Sequence, residues 1–483
     1  MFIKRKTWGV LSFATLATLA AGVIGCMKMD TATNTTVTES GFDTPLSIPT
    51  YLSSKNLTLE AKTTSTTMLK GKTTNNALLY NGLLPVIKAN KGDVVNVNLK
   101  NSLSEESNIH WHGMLTPANM DGHPKDVAAA GSSRNYSFTI GQRAATTWFH
   151  PHPHMKTARQ AYMGLAGMFI VNDPQEEALN LPSGDLEIPL VLSDKRFNSD
   201  ASLNYSPTMM DVMTGYFGDK VLVNNSQSPF LNVKTCFYRF RIVNGSTARI
   251  YDLALSNGDN FMIIGNDGGL LEKPVALSHA LISPGERLDI LIDFGKMSVG
   301  SEVFLQSIAN NITNHGASTF KMLKFKVATQ EAEKFTMPQN LSTITPLSIS
   351  DSKRTRTFVL PNGHMGGGMG MGAGMHTING KTYDINRIDE TVAAGETEVW
   401  EIDNSQGDEP HPMHLHGVQF QVLEKTGGNV QPYEKGWKDT VLIKKGEKAK
   451  VIMRFPNEKG LFLMHCHNLE HEDDGMMMNF EIK

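Results

Sequence analysis

Four short segments, far apart in the chain, each carry a His-x-His pair: His110-Trp111-His112, His150-Pro151-His152, His414-Leu415-His416 and His465-Cys466-His467. With 16 histidines in 483 residues, one such pair by chance is unsurprising, but four are hard to dismiss. On an extended strand, side chains two apart share a face. Each pair therefore presents both imidazoles to one side. Cys466 points the opposite way from its two neighbours, so one metal can sit behind the thiol while His465 and His467 face another. Any fold that uses these pairs together must join segments about 300 residues apart.

The residues after Cys466 sharpen this. His471 and Met476 follow, and a thiolate, imidazoles and a distant thioether form the ligand set of a blue-copper centre. His411 lies three residues before His414, where it can turn toward Cys466. The eight paired imidazoles are enough to hold three further coppers.

At these residues the chain resembles the multicopper oxidases, and most closely the bacterial periplasmic copper-efflux oxidases, which oxidise cuprous ion. The likeness runs from about Leu46 to the end and is most specific in His411-Pro412-Met413-His414-Leu415-His416-Gly417 and in the block His465 to Met476. It implies four copper ions. His411, Cys466, His471 and Met476 would hold the type 1 ion, and His110 and His414 the type 2 ion. His112, His150 and His467 would hold one type 3 ion, and His152, His416 and His465 the other. Every ligand position is filled, unlike in the family's metal-free structural relatives.

The resemblance further implies exported, three-domain architecture, and the rest of the chain agrees. Its length suggests two or three domains. The net charge is −3, with both signs interspersed, and nothing points to a nucleic-acid partner. Three cysteines are too few for a disulfide framework. Cys236 reads as a buried free thiol. Residues 1–26 read as an export signal: Lys4-Arg5-Lys6 precedes an apolar stretch, and Val23-Ile24-Gly25-Cys26 resembles a lipobox. We expect a monomeric periplasmic or cell-envelope protein, lipid-anchored at Cys26, with a flexible tether over 27–45.

Short β runs broken by Gly, Asn and Pro dominate the remainder. Val94 to Leu99 and Leu288 to Asp293 alternate and read as half-buried strands. The spacing from Gly92 to Asn101 before the first His pair repeats from Gly395 to Asn404 before the third, with a histidine-free echo at Phe240 to Gly245. We expect an all-β protein of three cupredoxin-like Greek-key β-sandwiches over 46–174, 175–340 and 341–483, the middle one without copper. The copper cluster would then lie between the first and third.

Dioxygen reduction to water consumes protons, and Asp121 and Glu472 match the family's proton-delivering carboxylates. A turn-forming Asp-Gly and a solvated acidic run are the bland readings of these two. His123 departs from the small residue often found after that Asp-Gly. His154 sits behind the second pair rather than in it. The segment 364–376 holds Met365, Met369, Met371 and Met375 among six glycines. Each glycine disfavours a helix by about 1 kcal/mol relative to alanine, so an exposed loop is expected. Thioethers select Cu(I), and this loop reads as a collector of cuprous ion, with Asp408 and Glu409 receiving it beside His411. Met209, Met210 and Met213 are further candidates or packing residues. The expected activity is oxidation of Cu(I) coupled to four-electron reduction of dioxygen, for copper detoxification. The rivals are a laccase-like oxidase of phenols and aromatic amines, and a copper-sequestering lipoprotein.

Overall fold

The computed structural model describes Phe2 and residues 36–313, 316–361 and 375–483. The export segment with Cys26, and Met365, Met369 and Met371, lie outside them. Among the described residues no helix is long and apolar enough to cross a membrane.

Among the described residues six sheets form three pairs along the chain, each pair enclosing its own core. The first pair joins the sheet of Leu57–Leu69, Lys72–Tyr80, Val94–Asn101 and Ser133–Thr139 to that of Thr50–Ser53, Pro85–Asn90, Ala145–Phe149 and Gly167–Asn172. Leu59, Val97, Ile87 and Phe169 meet between them. The second pair is built mainly from strands between Glu187 and Thr329, around Phe240, Ile290, Leu305 and Phe325. The third spans Ser352 to Ile482, around Trp400, Met413, Met464 and Phe480.

Val94–Asn101 alternates buried and exposed positions, as its sequence predicts. The strand Arg287–Asp293 does not, because all but its last residue is buried. Its polar face is covered by an ionic cluster in which Asp289 takes Arg239 Nε at 3.0 Å, and Glu176 takes Arg239 Nη1 at 2.9 Å and Arg241 Nη2 at 2.7 Å. Alternation in sequence reported a charged interface there rather than a wet face.

The internal echo has a structural counterpart. Asn101, Asn244 and Asn404 are all fully buried. Each donates its side-chain amide to main-chain carbonyls: Asn101 to Glu105 and Ala128, Asn244 to Arg249 and Ile282, Asn404 to Glu409 and Lys444. One buried amide per sandwich thus ties the end of an equivalent strand to the loop after it.

Residues 38–45, read as part of a flexible tether, are instead docked. Thr38 N donates to Asp219 O at 2.7 Å, Thr44–Pro45 pairs with the strand Pro229–Lys234, and the buried Phe42 ring meets Phe304 at 5.1 Å. The Ser/Thr composition concealed one well-placed aromatic.

Behind the third sandwich's last helix, Lys195 is 2 % exposed, its ammonium 4.4 Å from the Tyr162 ring centre. Burial lowers it to about 8, against the opposing pull of Asp194. The unfolded chain therefore binds the extra proton between pH 8 and the usual lysine value near 10.5. Stability should rise with pH through that window, the full penalty being present below it. Lys195→Met should stabilise the protein at pH 7 by about 1–3 kcal/mol after loss of the ring contact. The gain should shrink toward pH 10.5, as chemical denaturation at two pH values would read out.

Candidate metal centre

Sheet register brings the histidine segments together. His411–Leu415 runs antiparallel to Gly460–Cys466, with Met413 opposite Cys466 and His414 opposite His465. His110 and His150 face each other in a two-way bridge, N to O at 2.8 and 3.2 Å. The pairs lie mostly at strand ends rather than within strands. Even so, their rings stay 5.0–6.1 Å apart within each pair, on one side of the chain.

Behind the thiol, Cys466 Sγ lies 3.5 Å from His411 Nδ1 and 3.7 Å from His471 Nδ1, and these two nitrogens are 3.3 Å apart. A carbonyl can only accept, so His471 Nε2, 3.1 Å from Met213 O, carries the ring proton. Its Nδ1 lone pair is left facing the sulfur. Met476 is buried, and its carbonyl accepts from Cys466 N at 3.0 Å. Burial pushes the thiol up, and the sequence-expected free thiol Cys236 is also buried and unpaired.

On the other side the same logic fixes more tautomers. His110 Nδ1 donates to Asp121 O at 2.8 Å, and His414 Nδ1 to Asp439 O at 2.9 Å. Their Nε2 lone pairs then meet head-on at 3.3 Å with no proton to share. His465 Nδ1 donates to Cys466 O at 3.0 Å, so its Nε2 lone pair faces His152 Nε2 at 3.3 Å and His416 Nε2 at 3.1 Å. His150 Nδ1 donates to Pro151 O at 2.9 Å, and its Nε2 has no partner. Facing lone pairs repel unless a cation lies between them. Two nitrogens each about 2.0–2.1 Å from one metal, at a tetrahedral angle, stand about 3.3–3.4 Å apart. The residues present fit copper.

Burial disfavours protonation of most of these rings. It holds His110, His112, His152, His416, His467 and His471 well below the ordinary histidine value, and His150 and His411 at about 3. Neutral imidazoles are what a metal requires.

Three of the groupings expected from sequence are close in space: His110 with His414, the trio His152, His416 and His465, and the trio His411, Cys466 and His471. The set His112, His150 and His467 is looser. The His467 ring lies 4.9 Å from His112 and 5.3 Å from His150, and each of the three keeps a nitrogen without a partner. Among the described residues, however, the tight grouping there is His110, His112 and His150.

The two carboxylates sit at the cluster. Asp121 Oδ2 is 2.6 Å from His416 Nδ1, and burial raises this acid to about 8 despite the Thr116 hydroxyl. Glu472 Oε2 is 3.0 Å from His465 Nδ1 and its Oε1 3.5 Å from His152 Nδ1, outside hydrogen-bond angles. His123 is occupied elsewhere, bonding Asn479 Oδ1 at 2.9 Å. Half-buried His154 stands 5.3 Å from the Tyr383 ring. Asp408 and Glu409 are half-buried just before His411, and burial beside Asp408 raises Glu409 to about 7.

Sequence reasoning missed three participants. Asp439 Oδ1 accepts from His112 Nε2 at 3.1 Å. The Met213 carbonyl fixes His471. His376 stacks on the His471 ring at 3.9 Å and bonds Asp474 at 2.8 Å. In sequence the Met209–Thr214 helix offers thioether candidates or packing residues, and a carbonyl leaves no sequence signal.

Two family models, both described as multicopper oxidase, match residues 61–176 and 337–483. The Staphylococcus haemolyticus protein named multicopper oxidase mco is 36 % identical over 435 residues, covering 89 % of this chain and 88 % of that one. The crystal structure of the McoA multicopper oxidase of Aquifex aeolicus superposes with a TM-score of 0.83 at 36 % identity, over 92 % of this chain and all of that one. A Campylobacter jejuni multicopper oxidase described as a metallo-oxidase gives 0.80 at 32 % identity, over 91 % of this chain and 95 % of that one. Likeness at this level, across nearly the whole of both partners and centred on the same histidine-bearing sandwiches, goes beyond a shared fold: the chain belongs to the multicopper oxidase family.

Proposed function

We propose that this multicopper oxidase takes its electrons from cuprous ion. The supporting observation is the docking of the methionine-bearing segment. Met375 N and His376 N both donate to Asp474 Oδ2, at 2.7 and 3.0 Å, and the His376 ring lies on His471. The segment that carries Met365, Met369, Met371 and Met375 therefore ends against the thiol-side grouping. Its thioethers and Asp408 would collect the substrate ion there. The Campylobacter metallo-oxidase supports a metal-ion donor in a related chain.

Four bound coppers supply a one-electron acceptor at Cys466 and a multi-electron store, at the histidine cluster, for reducing dioxygen to water. In our reading His411, Cys466, His471 and Met476 hold the type 1 ion, and His110 and His414 the type 2 ion. His112, His150, His467 and His152, His416, His465 hold the type 3 pair. The peptide from Cys466 to His465 and His467 gives a covalent path of a few bonds between the two sides. Asp121, raised to about 8, holds a proton beside His416, and Glu472 lies beside His465 and His152 as the second carboxylate of the proposed proton path. The buried rings exclude bulk water. We read the chain as three domains with junctions near 174 and 340, exported, anchored through Cys26, and monomeric.

Steady-state oxygen uptake by copper-loaded protein, with Cu(I) against a phenol, tests the donor. Replacing Met365, Met369, Met371 and Met375 together by leucine should cut Cu(I) turnover at least about tenfold, the scale of losing 1.4 kcal/mol of binding, and leave phenol turnover unchanged or higher. Equal effects on both donors would refute the cuprous reading. Uptake that stops after stoichiometric Cu(I) would mark a sequestering protein.

A further inference from the structure

The sandwich expected to take no part in metal chemistry sends one side chain to the histidine cluster. Arg287 opens the strand Arg287–Asp293 and is fully buried. A guanidinium carries five N–H donors in a rigid fork, and here all five are used. Nε donates to Thr146 O at 3.1 Å. Nη1 donates to Gly285 O at 2.9 Å and to Asp439 Oδ1 at 2.7 Å. Nη2 donates to Asp267 O at 3.0 Å and to Asp439 Oδ2. These partners come from all three sandwiches: Thr146 from the first, Asp267 and Gly285 from the second, Asp439 from the third.

Asp439 passes the constraint on. The oxygen that accepts from Nη1 also accepts from His112 Nε2 at 3.1 Å, and the Asp439 carbonyl accepts from His414 Nδ1 at 2.9 Å. Both bonds fix the proton on one nitrogen of the ring and present the other to the cluster. There is no slack around the fork. Gly285 has φ +83°, and a Cβ there would stand 2.8 Å from His467 Cδ2 and 3.0 Å from His112 Cε1. Lys438 Nζ braces the same network through Asp267 at 2.7 Å and Glu286 at 3.0 Å.

We infer that Arg287 is a positioning residue for the histidine cluster: by gripping both oxygens of Asp439 it sets the tautomer and orientation of His112 and His414, and so makes the middle sandwich a working part of the metal centre. A lysine supplies the charge without the fork and cannot hold two oxygens at once. Loss of such outer partners typically weakens a metal site 10–100-fold. The inference rests on the proposed placement of copper at His110, His112 and His414.

The test is Arg287→Lys and Arg287→Met in the full chain, reconstituted with copper. The readouts are copper per chain, the type 2 paramagnetic resonance signal, the blue type 1 absorption and thermal stability. Arg239→Met is the control, because it breaks a buried ionic cluster that touches no histidine. We expect the Arg287 variants to lose type 2 copper on dialysis, or to show altered type 2 hyperfine splitting, with type 1 absorption per chain retained. Arg239→Met should melt lower yet keep its full copper and an unaltered type 2 signal. Should neither Arg287 variant accumulate, Asp439→Asn gives the same readout, since the amide cannot accept at both positions. An unaltered type 2 signal with full copper in whichever of these variants accumulates overturns the inference. Absence of type 2 copper from the wild-type chain would instead refute the assignment of the cluster itself.

Discussion

Replacing Cys466 by serine should abolish the blue thiolate-to-copper absorption and lower oxygen consumption by about 10³-fold or more, a barrier increase of at least about 4 kcal/mol. The thiol sulfur faces both His411 Nδ1 and His471 Nδ1. A hydroxyl has nearly the same size, but it is a poor ligand for either copper oxidation state in a site of this kind. Folding should survive, since burying one hydroxyl in this core costs about 1–3 kcal/mol. Copper bound per chain should fall by one while the histidine cluster stays loaded. A serine variant that still oxidises Cu(I) or phenols at the wild-type rate would sever the proposed path along residues 465–467.

The second large effect is expected at Trp111, between His110 and His112. Its ring is fully buried and meets Tyr136, Phe138, Phe149 and Phe169 at 5.4–6.0 Å. Trp111→Ala should cost about 3–5 kcal/mol of stability. The void also removes the anchor that keeps the flanking imidazoles on one side of the chain. We expect a lower melting temperature without copper, and weaker retention of type 2 and type 3 copper on dialysis, with the blue absorption preserved. A lower melting temperature with unchanged copper retention would show that the ring serves the core alone.

The contrast between Trp111 and Arg287 explains what could be read from sequence. A His-x-His pair is local: two residues, a spacing of two and a strand geometry suffice to predict that both rings face one way. The thiol-side set was legible for the same reason, because Cys466, His471 and Met476 fall within eleven residues. Asp121 and Glu472 needed the resemblance, since nothing local separates them from a turn and an acidic run. Asp439 and Arg287 left no trace: their chemistry exists only where strands 152 residues apart in sequence meet. The half-buried reading of Leu288 to Asp293 failed for a related reason. Charges at alternate positions look wet in sequence until Arg239 and Glu176 arrive from elsewhere to cover them. The docked residues 38–45 were hidden behind a Ser/Thr composition that says nothing of Phe42.

The geometry also dictates when, during synthesis, the protein can first become an oxidase. Domains generally fold from the N-terminus as the chain emerges, so the first sandwich can be finished with its four paired histidines still lacking their partners from the third. The tight trio on the dioxygen side waits for His465, and the thiol-side trio for Cys466 and His471. A chain still lacking its last tenth thus has two finished sandwiches, a third without four of its strands, and no complete electron path. Copper met before the last twenty residues emerge would find only fragments of its proposed sites, so metal loading belongs after release, and loss of that short stretch also strips Met464 and Phe480 from the third core, leaving a chain both inert and less stable.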